Sequence, residues 1–518
     1  MLQSWTSAQV RAAEEPLLAA GVPLMQHAAF ALAGVVARVL RERRGRVVGG
    51  QVVLLVGPGN NGGDALHAGA FLRRRGVDVV ALALAPRVHD EGRAALLAAG
   101  GRVHEVTDAV DGAARAGRAD VLVDGILGIG TRDGGLTGLA GALVAALAGG
   151  AVEGDARGDG SRGGVVGLGA HGADRPAVVA VDTPSGIGVD DGTVSGPVLP
   201  ADVTVTFGGA KPGLLIPPAA HLVGRLEVID LDLPLPDHHP AVVRLADRDA
   251  AALWPVPTRS AHKYSRGVVG VVAGARRYPG AAVLATSAAV LAGVGMVRYL
   301  GDVADLVVAR RPEVVTGPGR VQAWVFGPGV SPDDAAQRRR IEHAFEGVLQ
   351  RGEPAVVDAG ALELLPPTVP THVVLTPHAG ELARLLTDRG HRLTRADVER
   401  EPLRWTRLAH EMTGATVLLK GHVTLVVGAG GAVYAQADAP PWLATAGAGD
   451  VLAGLMGAML AGRADDVLDD PTLTAAVAAA AALVHGRAAH TANPDGPVTA
   501  RGVALALPET IRTLLASA

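Results

Sequence analysis

VVLLVGPGNNGGDALHAGAFLRRRG, residues 52–76, decides how the first half of the chain folds. An apolar run over 51–56 stops at a glycine-proline turn, residues 65–75 have helical spacing, and a second apolar run covers 77–83. Strand, glycine-rich turn, helix and strand make the βαβ unit of a parallel sheet. Gly57, Gly59, Gly62 and Gly63 fall in the turn, where bare amides and a helix N-terminus can approach a phosphate. Pro58, the Asn60 and Asn61 pair and the closing Asp64 set this turn apart from the usual dinucleotide fingerprint. Two side-chain amides and an acid indicate polar ligation beyond phosphate.

Outward from that unit the alternation continues. Residues 121–123, 177–181, 203–207 and 225–229 read as strands, each followed by glycine, proline or aspartate at the end where open α/β sheets bind ligands. Residues 148–175 collapse to glycine, alanine, arginine and aspartate and read as a flexible surface insertion. LPLPDHHP, residues 233–240, breaks all periodicity and marks a domain boundary. Its adjacent His238 and His239 diverge on any regular backbone and read as linker rather than as metal ligands. Alternation then restarts, with strands at 268–273, 321–326, 355–357, 372–375, 416–419 and 423–427 and a helix over 281–291. The 518 residues are thus expected to form two α/β domains, 1–235 and 247–518, joined by a linker at 236–246.

Composition narrows the function. A net charge of −4 offers no basic field for nucleic acid or anionic membrane. The absence of cysteine excludes disulfides, thiolate metal sites and thiol redox chemistry. Arg11, Glu14 and Glu15 stand where a signal peptide would be apolar, and the alanine-rich run at 475–484 is too short to span a bilayer. A cytoplasmic protein without membrane or nucleic-acid partners is expected. Arginine serves almost everywhere as the cation, and the only lysines are Lys211, Lys263 and Lys420, each beside glycine or in a turn-rich motif. Codon bias explains the scarcity but not the placement, because a compact ammonium and a guanidinium fork are not interchangeable at a tight site.

In the first half, Asp124 precedes a run of glycines that includes Gly128, Gly130 and Gly134, and Asp182 opens DTPSG at 182–186. Proline stops the strand and would present Asp182 at a sheet edge; taken alone, an Asx-turn or a helix cap is the commoner reason for such a residue. Taken together, GPGNNGGD, DGILGIG, VDTPSG and GGAKPGLL resemble in order and spacing the N-terminal domain of NAD(P)H-hydrate epimerases. The resemblance implies a Rossmann-like αβα domain in which Asn61, Asp124 and Ser185 hold K+. It also implies that the hydrate is bound by Asn60, Asn61, Gly62, Gly63 and Asp64 and by Gly128, Ile129, Gly130, Thr131, Arg132, Asp133 and Gly134. Asp182 would be the acid/base residue, passing a proton while the hydrate opens and recloses at C6.

In the second half, TAGAGDVLAG at 445–454 sets small residues before Asp450 and an apolar helix after it. Amides of Gly447, Ala448 and Gly449 would make an anion hole beside a carboxylate base, an arrangement suited to phosphoryl transfer to a hydroxyl. Taken alone, the motif is explained equally well by helix capping by the aspartate. LLKGHVT and TPHAGE each follow an apolar strand. With SAHKYSRG and VFGPGV, these motifs resemble the ADP-dependent NAD(P)H-hydrate dehydratases, of ribokinase-like αβα fold. The resemblance implies hydrate contacts at Ala281, Gly329, His378 and Asp450, and nucleotide contacts at Lys420, Gly421, His422, Val423, Thr424 and Gly449. Asp450 would be the base and Mg2+ would accompany ADP.

The implied substrates are hydrated NADH and NADPH (NADHX and NADPHX) and ADP, and a homo-oligomer is expected. Phosphorylating the C6 hydroxyl makes it a leaving group that the ring nitrogen can expel, giving NAD(P)H, AMP and phosphate. Two other readings fit parts of the sequence: a ribokinase-like small-molecule kinase, because GAGD serves both reactions, and a dehydratase whose N-terminal half is a silent binding module.

Overall fold

The computed structural model describes residues 1–130, 135–149, 175–236, 240–331 and 333–517. Thr131, Arg132, Asp133 and Gly134, the low-complexity stretch at 150–174, and the His238 and His239 pair lie outside the described residues. The chain divides into two compact units, Gln3–Ala241 and Val242–Ala518, with Met1–Leu2 belonging to the second.

The first unit is built on a parallel sheet in the order Arg102–Glu105, Asp78–Ala83, Gln51–Val56, Val121–Gly125, Ala177–Val181, Val203–Phe207, Arg225–Ile229. Alternating side chains feed two cores: Val52, Leu54 and Val56 face one, Val53 and Leu55 the other. Helices Leu24–Arg44 and Asn60–Arg74 cover the first face, while Leu143 and Val144 of Gly138–Gly149 cover the second. This is the three-layer α/β arrangement read from the sequence. Leu24–Arg44 is long and apolar enough to cross a membrane by length and composition, but its Leu32, Val36 and Leu40 are wholly buried in this core.

Gln51–Val56 lies between Asp78–Ala83 on one side and Val121–Gly125 on the other, so the chain winds outward one way and then returns to wind the other. The crevice at the carboxyl ends of those two strands is where such sheets bind ligands. The helix after Gln51–Val56 starts at Asn60, earlier than the helical spacing from 65 suggests, and Gly62 and Gly63 lie inside its first turn rather than in a loop. Close approach explains the glycines: a Cβ on Gly57 would fall 1.9 Å from the carbonyl oxygen of Ile126, and one on Gly62 2.3 Å from that of Gly57.

The sheet of the second unit includes, in order, Val242–Arg244, Val433–Gln436, Thr424–Val427, Thr416–Leu419, Val373–Leu375, Ala355–Val357, Ala323–Phe326, Val268–Val272, Met296–Tyr299 and Val315–Thr316. It is parallel from Thr416–Leu419 to Val315–Thr316, and Thr416–Leu419, Thr424–Val427 and Val433–Gln436 form an antiparallel meander. Helix Ala448–Gly462 runs through the core against Pro279–Leu291, so closely that a Cβ on Gly454 would sit 2.1 Å from the Ala285 carbonyl oxygen. The alanine-rich run at 475–484 is part of Leu473–Ala492, a helix buried in the same core. Small side chains there let helices and sheet approach closely.

Candidate active sites

In the first unit, Asn61, Asp124 and Ser185 come together at the switch point. Asp124 is wholly buried; its Oδ1 accepts from Ser185 Oγ at 2.6 Å and its Oδ2 from the Ser185 amide at 2.8 Å. Ser185 Oγ in turn accepts from the Leu127 amide at 2.9 Å. The Asn61 amide nitrogen donates to the carbonyls of Leu127, 2.8 Å, and Val181, 2.7 Å, tying the two strand-end loops together. Burial pushes the Asp124 carboxyl above its ordinary range despite the bonds from Ser185 and Ile126. A carboxylate, a hydroxyl and carbonyl oxygens linked in one hydrogen-bonded cluster are an all-oxygen set of the kind that suits a hard cation.

Asp182 follows strand Ala177–Val181 with φ 63°, a strained conformation for a non-glycine residue, and its amide donates to the Val205 carbonyl at 2.7 Å. Neither a simple Asx-turn nor a helix cap describes it. The side chain is buried in an ion pair with Lys211, and Oδ1 also accepts from Thr206 Oγ1 at 3.1 Å. Lys211 Nζ donates further to Thr206 Oγ1, 2.9 Å, and to the Phe207 carbonyl, 3.0 Å. Asp64 is buried nearby. Burial first, then the charges of Asp182 and Glu14, push its carboxyl well above the usual range, with Lys211 opposing. Burial likewise raises Glu14, whose helix neighbour Arg11 reaches the Ile129 carbonyl at 2.8 Å. Of the expected hydrate-binding residues, Asn61, Gly62, Gly63 and Asp64 are buried in this crevice, Gly128 and Ile129 are half-buried, and Asn60 and Gly130 are exposed at its mouth. A Cβ on Gly128 would fall 2.8 Å from Asn61 Oδ1, so the two loops touch.

In the second unit, Gly447 with φ 89° caps helix Ala448–Gly462, and Asp450 is its third residue, so Asp450 is not the cap. The Ala448 amide donates to Thr445 O at 3.3 Å, which leaves the expected anion hole to Gly447 and Gly449. Burial, then the charge of Asp358, raises the Asp450 carboxyl to about 7, with Lys420 opposing. Lys420 donates to Asp358 Oδ1 at 2.7 Å and lies 3.8 Å from Glu381 Oε2. Burial pulls its ammonium down, but Asp358 and Glu381 outweigh that and leave it above its ordinary value.

His378 is neither a packed core histidine nor a free side chain. It caps helix Ala379–Thr387, its Nδ1 accepting from the amides of Gly380 and Glu381 at 3.1 Å, while Glu381 Oε2 accepts from the His378 amide at 2.8 Å. The Lys420 amide donates to the Pro377 carbonyl at 2.8 Å, which brings the TPHAGE and KGHVT loops side by side. Gly421, His422 and Val423 turn the hairpin into Thr424–Val427. Ala281 and Gly329 also meet: a Cβ on Gly329, where φ is 64°, would fall 2.5 Å from that of Ala281.

Four side chains of these sites were not singled out as site residues from sequence: Glu14, Lys211, Asp358 and Glu381. The scarcity of lysine was the available signal, because two of the three lysines are the partners of site carboxylates.

Comparison with known proteins gives two family matches. Residues 269–507 match a family described as NAD(P)H-hydrate dehydratase, and residues 22–213 match one described as YjeF-related protein N-terminus. The bifunctional NAD(P)H-hydrate repair enzyme of Mycobacterium tuberculosis is 42% identical over 469 residues, covering 87% of this chain and 88% of that protein. An NAD(P)H-hydrate epimerase of Clavibacter michiganensis is 44% identical over 243 residues, 46% of this chain and 94% of that protein. Among solved structures, the ADP/ATP-dependent NAD(P)H-hydrate dehydratase of Bacillus subtilis, co-crystallised with ATP and Mg2+, aligns with 52% of this chain and 98% of its own at 23% identity and a TM-score of 0.46.

Proposed function

The chain belongs to the bifunctional NAD(P)H-hydrate repair enzymes, and from that membership and the two sites we propose which residues carry each half of the repair. The first unit interconverts the R and S hydrates of NADH and NADPH. The second dehydrates the S hydrate to NAD(P)H at the expense of ADP, releasing AMP and phosphate.

For epimerisation, the carrying observation is the buried Asp182–Lys211 pair at the carboxyl edge of the sheet. The Lys211 ammonium and the Thr206 hydroxyl both donate to Asp182 and aim its carboxyl group. It takes the proton of the C6 hydroxyl as the C6–N1 bond opens, and returns it after the ring recloses on the other face of C6. Asn61, Gly62, Gly63 and Asp64, with Gly128, Ile129 and Gly130 across the crevice, bind the hydrate. Asn61, Asp124 and Ser185 hold K+, which when bound supplies a fixed charge that orders the two loops.

For dehydration, the carrying observation is Asp450 at the head of its helix beside Lys420. Asp450 accepts the C6-hydroxyl proton, and the Gly449 amide and Lys420 take the charge of the migrating phosphoryl group. Gly421 to Thr424 flank the nucleotide, and Ala281, Gly329 and His378 border the hydrate. Mg2+, a hard cation that keeps several waters and favours phosphate oxygens, would accompany the nucleotide phosphates.

The test uses purified protein and hydrated NADH. Near-ultraviolet absorbance of the reduced ring is expected to return only when ADP or ATP is added, and no return with either nucleotide refutes the dehydratase assignment. A small-molecule kinase would give no return. Asp182→Asn is expected to leave the S hydrate repaired while the R hydrate is consumed only at its uncatalysed rate; unchanged use of R would overturn the epimerase assignment.

A further inference from the structure

We propose that Asp358 is a positioning residue of the dehydration site, holding the Lys420 ammonium beside Gly449 at the head of the helix that carries Asp450. Asp358 follows strand Ala355–Val357 and is 2% exposed. Its backbone is fixed on both sides, the amide donating to the Phe326 carbonyl at 2.9 Å and the carbonyl accepting from Ala361 at 3.1 Å. Oδ1 accepts from Lys420 Nζ at 2.7 Å. A side chain beginning at Gly449 would start 3.5 Å from Lys420 Nζ and 3.8 Å from Asp358 Oδ2. The Asp358 and Lys420 loops therefore meet at Gly449, in the first turn of the helix that carries Asp450.

A lysine stem has many rotamers, and an ammonium without a fixed partner would sample several of them. Glu381 is the weaker anchor, because it stands 3.8 Å from Nζ and its Oε2 is already engaged by the His378 amide. Asp358 has no hydrogen bond to a side chain other than Lys420 among the described residues. Its charge has a second consequence, since after burial it is the main influence that raises Asp450. One side chain thus sets both where the cation stands and how basic the neighbouring carboxylate is.

The inference rests on the dehydratase reading. In the step concerned, the C6 oxygen bonds to the terminal phosphorus of ADP and its proton goes to Asp450. The bond from that phosphorus to the bridging oxygen breaks, and AMP leaves with the electron pair. Lys420 neutralises charge on the migrating group only if it is held there.

The test is Asp358→Asn in the full-length protein. ADP-dependent dehydration is expected to lose about 10²–10³-fold in kcat with KM for ADP within a few-fold. The acid limb of the pH profile of kcat/KM should move to lower pH, because a negative neighbour of Asp450 is gone. Asp358→Glu should recover part of kcat and return the limb. In a Lys420→Met background, Asp358→Asn should cost less than about threefold more, since there is no ammonium left to position. That double variant removes both charges of the pair and so keeps the test available if the single variant fails to fold. A kcat within threefold of the parent, an unmoved limb, or multiplicative losses in the double variant would overturn the proposal. Absence of dehydration by the parent protein would instead overturn the reading on which it rests.

Discussion

The ammonium of Lys211 is buried against the carboxylate of Asp182, and the Thr206 hydroxyl sits 2.9 Å from the same nitrogen. A charge taken out of water this completely is stable only while its partner remains. Lys211→Met should therefore cost the first unit about 3–5 kcal/mol by leaving Asp182 unpaired. Urea unfolding followed by Trp5, the one tryptophan of that unit, checks this. Epimerisation should fall with it, while ADP-dependent dehydration of the S hydrate by the same chain stays within twofold. A variant as stable as its parent would show that the Lys211–Asp182 pair does not hold this unit together.

Replacing K+ in the assay by tetramethylammonium should lower the rate of R-to-S conversion at least tenfold, because that ion cannot fit among Asp124, Ser185 and the loop carbonyls. Ser185→Ala should weaken the K+ response and destabilise the unit by about 1–3 kcal/mol, since Asp124 loses its shortest donor while remaining buried. Epimerisation at equal rates in both salts would remove K+ from this site.

How far the sequence discloses these arrangements depends on how local their causes are. The strand 51–56 and the turn after it were legible, because an apolar run ending in glycines has few other uses. The start of the following helix at Asn60 was not, since two glycines in a first turn argue against helix unless one knows that the Gly57 carbonyl crowds Gly62 and the His89 ring crowds Gly63. Strand Arg102–Glu105 escapes the pattern for a similar reason: it is an edge strand with mostly exposed residues and no apolar run. Asp358 looks like any turn residue after a short strand, and only Lys420, 62 positions away, gives it meaning. The odd placement of the three lysines pointed to two of these partnerships, whereas Lys263 lies exposed over the Tyr264 ring.

Asp450 should govern the acid side of dehydration. Burial and the charge of Asp358 raise its carboxyl to about 7, so as the free-enzyme base it is mostly protonated and inactive below that pH. The kcat/KM for the S hydrate should rise about tenfold per pH unit below 7 and level off above it. Asp450→Asn should remove both the rise and most of the activity. A profile already flat from pH 5 upward would assign the base elsewhere.

His485 gives the stability of the second unit its own pH dependence. It lies in helix Leu473–Ala492, 6% exposed, and its Nε2 meets no hydrogen-bond partner among the described residues. Burial pulls its pKa from the usual 6.5 down to about 4, so the folded unit holds it neutral where the unfolded chain would bind a proton. A lowered value of this kind contributes stability that is complete above about pH 6.5 and is lost as pH falls through 4. Near pH 5 the loss is about 2 kcal/mol. His485→Leu is similar in volume and has nothing to protonate, so it should stay stable at pH 5 and be at least as stable as the parent at pH 8. Urea unfolding of both proteins at the two pH values, followed by the tryptophans at 254, 324, 405 and 442, measures the difference. Parallel losses in parent and variant would mean that the acid sensitivity arises from another buried group, such as His372, which burial also lowers and whose Nε2 is likewise unpartnered among the described residues.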